Sequence, residues 1–100
     1  MFECGFIYVA GGLDPEVCRA VIPSESLNMT VIGCANYHQA EEAAVELVKK
    51  GCDAIELCAG FSNEGVARIQ KAVGPDIVVG AVRFDIHPAF NYKSGNNAFK

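Results

Sequence analysis

The sequence lacks both a cluster of basic residues and a long apolar run. Its eight Lys and Arg residues are scattered, and its formal net charge is −4 at pH 7. A nucleic-acid surface needs clustered basic side chains, so we expect no nucleic-acid partner. No apolar run approaches the roughly 18 residues that span a bilayer, and Met1–Cys4 carry no basic segment typical of a signal peptide. We therefore expect a cytoplasmic protein without a membrane partner.

Paired cysteine motifs are also missing. The five cysteines are an odd number, and none belongs to a Cys-x-x-Cys pair, so we expect reduced thiols. A chain of 100 residues forms one domain and buries roughly two thirds of its unfolded surface. Because 51% of the residues are hydrophobic and only 20% are charged, we expect association to cover the apolar surplus in a homodimer or higher homo-oligomer.

What the sequence does contain is an alternation of apolar, strand-like segments with helix-like segments. Asp14 followed by Pro15 has the form of a helix N-cap, and Asn36 with Gln39 resembles a capping box. The strands are predicted at 5–10, 29–34, 53–58 and 77–82, and the helices at 15–21, 36–50 and 62–73.

This alternation predicts an α/β fold with right-handed crossovers. We expect a small parallel four-stranded sheet with helices on both faces, in the flavodoxin-like strand order 2-1-3-4. The alternative is the order 1-2-3-4, which is half of a β/α barrel. We expect residues 1–84 to form the α/β domain, and residues 85–100 to form a C-terminal tail that packs on this domain or on a neighbouring subunit.

Polar residues follow the third and fourth predicted strands. Ligands of open parallel sheets bind outside the carboxyl ends of the strands, so the sequence predicts a site for a small polar or anionic ligand there. Gly11 and Gly12 follow the first strand and either allow close approach of a ligand or only form a turn. The predicted binding residues are Arg83, Asn63, Glu64, Cys58, Glu56, Gly11 and Gly12.

Arg83 and Glu56 have two interpretations. An Arg at a strand end can hold a carboxylate or phosphate with its bidentate fork. Glu56, inside an apolar strand, needs a partner, because burying an unpaired charge costs several kcal/mol. The two residues therefore either form an internal pair, or Glu56 pairs with another subunit, or Arg83 holds a ligand.

Asp85 and His87 are the candidate catalytic residues. Two residues apart in an extended segment, they point the same way, and Asp85 is placed to orient His87 as a general base with Arg83 as an electrostatic clamp. The alternative is a turn in which His87-Pro88 starts the tail. With only two histidines in the chain, we predict no metal site.

Cys58 and the following glycines resemble phosphate-binding loops only superficially. The sixth residue after Cys58 is Glu64, where thiol phosphatases have Arg, so an inert thiol is favoured over a reactive thiolate. Gly60 and Gly65 have P-loop spacing, but Val66 follows in place of Lys. The sequence therefore indicates a tight turn into the third helix.

Four stretches of the chain resemble a family of short bacterial single-domain proteins of unknown function. They are GCDAIELCAGF at 51–61, EGVARI at 64–69, VGP at 73–75 and VRFDIHP at 82–88. With an amino-terminal strand, the resemblance covers most of the chain. It implies a compact single domain and assigns no chemistry.

Two functions are compatible with these features. The first is binding of a small polar or anionic ligand at the carboxyl ends of the strands. The alternative is a non-catalytic interaction or assembly module in which the same polar cluster forms a subunit interface. The sequence assigns no cofactor and leaves open whether the protein is an enzyme.

Overall fold

A computed structural model describes residues 1–100 and shows an α/β fold around one five-stranded sheet. The strand order is β2-β3-β1-β4-β5, in which β2 is antiparallel to β3 and the other neighbours are parallel. No helix is both long enough and apolar enough to cross a membrane. The strands are β1 (Phe2–Val9), β2 (Arg19–Pro23), β3 (Leu27–Cys34), β4 (Ala54–Leu57) and β5 (Val78–Ala81), and the helices are α1 (Tyr37–Lys49), α2 (Asn63–Val73) and α3 (Gly95–Phe99).

The four predicted strands are β1, β3, β4 and β5, and they lie in the relative order 2-1-3-4. The half-barrel alternative is wrong, because β1 lies between β3 and β4 instead of at an edge. The prediction of a purely parallel four-stranded sheet is also wrong, because β2 adds a fifth, antiparallel strand beside β3. The sheet therefore agrees with a flavodoxin-like arrangement only in part.

The helix predicted at 15–21 does not form. Asp14 accepts hydrogen bonds at its backbone oxygen from the amides of Val17 and Cys18, at 3.0 and 2.7 Å, so its capping signal produces a single turn. The chain then extends into β2, where the β-branched Val21 and Ile22 favour a strand. A hairpin joins β2 to β3, and its turn is closed where the Leu27 amide donates to Ser24 Oγ at 3.1 Å.

The loss of that helix changes the layering of the molecule. In the predicted fold, the crossover from β1 to β3 would have covered one face of the sheet. Both long helices instead pack on the other face, where α1 and α2 also contact each other. The expectation of helices on both faces is therefore wrong, and the molecule has one helical layer and one sheet layer.

The hydrophobic core lies between the sheet and α1 and α2. Ile7, Ile32 and Leu57 point into it from three strands and are fully buried. Gly5 allows α1 to approach, since a Cβ there would lie 2.5 Å from Leu47 Cδ1. Alternation along each strand sends the intervening side chains to the opposite face.

The caps of the two long helices agree with the sequence. Asn36 Oδ1 accepts a hydrogen bond from the Gln39 amide at 2.9 Å, and the Gln39 side chain accepts one from the Ala35 amide at 2.8 Å. Ser62 Oγ accepts a bond from the Gly65 amide at 3.1 Å at the start of α2. These caps satisfy amides that helix geometry leaves without partners.

Candidate functional sites

The carboxyl ends of β4 and β5 bring together three of the predicted site residues. Arg83 donates from Nε and Nη2 to Asp85 Oδ1, at 3.0 and 2.7 Å, and from Nη1 to Asn63 Oδ1. The Arg83 side chain is 60% exposed and that of Asp85 is 82% exposed. The three side chains therefore form a solvated chain on the surface and do not enclose a cavity.

The predicted pair between Glu56 and Arg83 is not formed. Glu56 is exposed on the face opposite the helices, and it takes part in no ion pair within the chain. Arg83 binds Asp85 and Asn63 instead. Side chains alternate between the two faces of a strand, so Glu56 points away from the helices while its neighbours Ile55 and Leu57 are buried under them. The Glu56 carboxylate is therefore in solvent and has no partner within the chain.

Asp85 and His87 are close in sequence, but no hydrogen bond or ion pair joins them. Nδ1 of His87 accepts a hydrogen bond from the Ala89 amide at 3.1 Å and so caps the 3₁₀ turn at Pro88–Phe90. Its ring lies 4.2 Å from that of Phe90, centroid to centroid. The Asp-x-His segment has the geometry of a turn, and the base-and-orienter pair is not assembled in this conformation.

The carboxyl end of β4 is covered by the tail of the same chain. Phe99 is 4% exposed and belongs to the hydrophobic core, with its ring centroid 6.1 Å from that of Tyr37. Ser62 Oγ donates a hydrogen bond to Asn96 Oδ1. The backbone of Gly95 approaches the Gly60 carbonyl so closely that a Cβ would overlap its oxygen.

The remaining predicted binding residues do not converge with Arg83 on a pocket. Cys58 is half-buried, and its sulfur accepts a weak hydrogen bond from the Gly60 amide at 3.4 Å. Glu64 pairs with the tail through Lys100 Nζ at 3.2 Å. Gly11 and Gly12 form an exposed turn, and a Cβ at either position would have no neighbour within 4 Å. The backbone of Gly12 has a φ of +79°, which favours glycine at this position.

A depression of about 260 Å³ lies elsewhere, between the loop before β2 and α1. Arg19 forms one wall and binds Glu46 with both terminal nitrogens, at 2.6 and 3.1 Å. This bidentate hydrogen bond is the main cause that lowers the pKa of Glu46. No three His, Cys, Asp or Glu side chains are grouped in a way that would hold a metal ion.

The largest feature that the sequence did not predict is the uncovered side of the sheet, which we call the open face. Residues paired across all five strands form two rows on it. The first row contains only uncharged side chains, and the second contains one charge, that of Glu56. The rows are Ile22, Met29, Cys4, Ala54 and Val78, and then Ala20, Val31, Phe6, Glu56 and Gly80.

Large apolar side chains of the open face are in contact with solvent. Ile22 is 58% exposed and Val78 is 70% exposed, and they lie at opposite edges of the sheet. Phe2, on the same side of β1, is 47% exposed. Tyr8 leans across Gly33, where a Cβ would lie 2.5 Å from its ring.

The electrostatics of the open face depend on Glu56. Burial is the main cause that raises the pKa of the Cys4 thiol, and the Glu56 carboxylate raises it further. Cys4 is 6% exposed, and its sulfur contacts the backbone oxygen of Asn28 at 3.5 Å. A protonated thiol is therefore favoured at the centre of the face, where it adds to the apolar character.

Comparisons with known proteins place the chain in a family but add no chemistry. A search of curated proteins found no match, and neither did a search of solved structures. One family model covers nearly the whole chain, from residue 2 to residue 97. On that match, the chain belongs to DUF6506, a family of unknown function.

Proposed function

We propose that this protein is a non-catalytic assembly module that binds another protein subunit through the open face. The observation that carries this proposal is the one-sided layering, in which α1 and α2 cover one face of the sheet and nothing in the chain covers the other. Contiguous exposed apolar surface in a folded protein typically marks an interaction site. The strength of such an interaction would come mainly from the apolar area removed from water.

The arrangement at the carboxyl edge favours assembly over catalysis. The place where a parallel sheet usually binds its ligand is occupied here by Phe99 and Gly95 of the tail. Asp85 is bound to Arg83, and His87 is engaged by the backbone of its own turn. These contacts hold the residues that would otherwise serve an acid–base mechanism.

A second candidate function is binding of a small anion by Arg83 and Asn63. It is favoured by the exposure of the Arg83 guanidinium and by the amide of Asn63 beside it. An anion would have to displace Asp85, which already neutralises the guanidinium. Native mass spectrometry of the wild type beside Arg83→Ala tests this candidate. Added mass that is present only on the wild type would support it, and two proteins that each have the mass of their own sequence, without an adduct, would exclude it.

The assembly function is tested by placing a photo-cross-linker on the open face in living cells. Benzoylphenylalanine in place of Phe2, which is 47% exposed, should give one adduct of defined mass after irradiation. The same group in place of Tyr92, which is 65% exposed outside the sheet, is the matched control.

A Val31→Glu substitution in the same protein should abolish the Phe2 adduct, because it places a second negative charge, in the same row as Glu56, in the middle of the apolar rows. The melting temperature of this variant must stay close to that of the wild type, which shows that the sheet is intact. Absence of any adduct at Phe2, or an adduct that persists in the Val31→Glu protein, would contradict the assembly function.

A further inference from the structure

We propose that the subunit bound by the open face is a second copy of this chain, and that the two sheets pack face to face around a two-fold axis running along β1. The inference rests on the proposed function and specifies its partner. Symmetric homodimers are the commonest oligomers of soluble proteins, and face-to-face sheets pack about 10 Å apart. Three properties of the open face support a second copy.

The first property is charge. Neither row of the open face contains Lys, Arg or His, and Glu56 is the single ionised side chain. Such a surface has nothing to attract the phosphates of a nucleic acid or of an anionic lipid. A second copy presents a matching uncharged surface, so the two apolar rows would cover each other.

The second property is area. The strands have eight, five, eight, four and four residues. With about 3.3 Å along a strand and about 4.8 Å between strands, the face has a projected area of about 450 Å². Two such faces bury about 900 Å². This area is near the lower limit for a specific interface, so we expect a dimer with a micromolar dissociation constant.

The third property is the distribution of side-chain size. Because β1 is the central strand, a two-fold axis along it places β3 of one subunit over β4 of the other and β2 over β5. Met29 then faces Ala54 of the second copy, so that a long side chain meets a small one. Ile22 at one edge faces Val78 at the other edge of the second copy.

Glu56 is compatible with this arrangement because it lies toward the rim. It is paired with Gly80 of the edge strand, and nothing lies within 4 Å of a Cβ built there. The carboxylate therefore has a path over Gly80 to solvent. The two Glu56 side chains lie on opposite sides of the axis along β1 and are separated by more than one strand spacing, which limits their repulsion.

The proposal is tested by a charge exchange at positions that only the second copy brings together. Within one chain, Ile22 and Val78 are separated by four strand spacings, or about 19 Å, so their side chains do not meet. Sedimentation velocity from about 1 to about 100 μM should show a monomer–dimer equilibrium for the wild type. Ile22→Lys alone and Val78→Glu alone should each weaken the dimer at least about tenfold, because each buries an unpaired charge.

The double variant, Ile22→Lys with Val78→Glu, should recover most of the affinity, because the introduced lysine of one subunit faces the introduced glutamate of the other. The recovered affinity should fall as salt is added. Val45→Lys, on the outer surface of α1, is the matched control and should dimerise like the wild type. Melting curves of every variant verify that each one is folded.

Three results would overturn the proposal. The first is a wild type that stays monomeric throughout this range, and the second is a dimer in which the double variant is no better than the single ones. The third is a dimer that is insensitive to both single variants but is lost with Ala81→Pro, whose amide faces away from β4, which would indicate pairing of β5 edges. A monomeric wild type that still gives an adduct of another protein at Phe2 would reject self-association while retaining the assembly function. Absence of any adduct would reject both.

Discussion

Gly95 provides a sharp test of how the C-terminal segment is held on the domain. Its backbone lies against the Gly60 carbonyl and beside the Tyr37 hydroxyl, and a Cβ would overlap the carbonyl oxygen. Gly95→Ala should therefore force α3 away from the carboxyl end of β4, because a backbone atom cannot yield as a flexible side chain would.

The size of the effect follows from the contacts that α3 makes. Burial of Phe99, which is 4% exposed, contributes about 1.5–3 kcal/mol, and the hydrogen bond between Asn96 and Ser62 about 1 kcal/mol. The freed segment regains conformational entropy, which offsets part of this loss. We expect a net destabilisation of about 2 kcal/mol, which lowers the melting temperature of a domain of this size by about 8–16 °C.

Thermal unfolding followed by circular dichroism measures this change. Asn97→Ala is the matched control, because Asn97 is exposed in the same short helix, and it should melt like the wild type. Phe99→Ala and the double variant Gly95→Ala/Phe99→Ala complete a cycle. If Gly95→Ala already releases the helix, the second substitution adds little to the loss. A Gly95→Ala protein that melts with the wild type, or full additivity in the cycle, would refute this account of the tail.

Two further predictions concern ionisable groups on the helical side of the sheet. Arg68 donates a bidentate hydrogen bond to Glu41, at 3.1 and 2.9 Å, and this bond lowers the pKa of Glu41. The pair therefore stabilises the folded protein above the ordinary carboxylate pKa, and this stabilisation is lost as the pH falls through the lowered pKa. Arg68→Gln should lower the free energy of unfolding by about 0.5–1.5 kcal/mol at pH 7 and make the melting temperature less sensitive to acid below about pH 5. An unchanged dependence of the melting temperature on pH would contradict the pairing. Burial raises the pKa of Cys34 to about 11 and also raises the pKa of Cys52. A disulfide reagent at pH 8 should therefore label Cys34 and Cys52 only after unfolding, whereas it should label the half-buried Cys58 in the native protein. Rapid labelling of Cys34 without denaturant would disprove its inertness.

The elements with strong periodicity were predictable from the sequence. The four parallel strands appear as apolar runs, and α1 appears as an apolar stripe between a capping Asn36 and the terminating Gly51. Right-handed crossovers left two orders open, 2-1-3-4 and 1-2-3-4, and these four strands have the first of them. Local signals sufficed here because each element buries one side against the same core.

The region before β3 was not predictable in the same way. Asp14-Pro15 is a good helix start, but only one turn follows before Val21 and Ile22 extend beside β3. The local cap competed with strand pairing, and the pairing prevailed because an edge strand satisfies the backbone of β3. The β-branched residues Val21 and Ile22 favour a strand, and this preference would have predicted a hairpin here instead of a helix.

The candidate site was predictable in position but not in its contacts. Arg83, Asp85 and Asn63 do meet at the carboxyl edge, as expected from the strand ends. Spacing in sequence did not reveal that Glu56 faces away from them or that His87 is held by the turn at Ala89. Such choices depend on how the irregular segment after β5 folds, and that segment has no period from which side-chain directions can be derived.

The one-sided layering and the occupied edge have a common origin in the connections of this fold. With β2 in place of a helix, the first crossover covers no face, and both remaining crossovers are right-handed and lie on the same side. The tail follows β5 on this helical side and buries Phe99 at the edge, so it cannot also cover Ile22 or Val78. Every other segment of residues 1–100 is already placed in the sheet, the helical layer or a short connection. Within these residues no segment is therefore left to cover the open face, and this arrangement is the basis for proposing a partner there rather than a ligand at the edge.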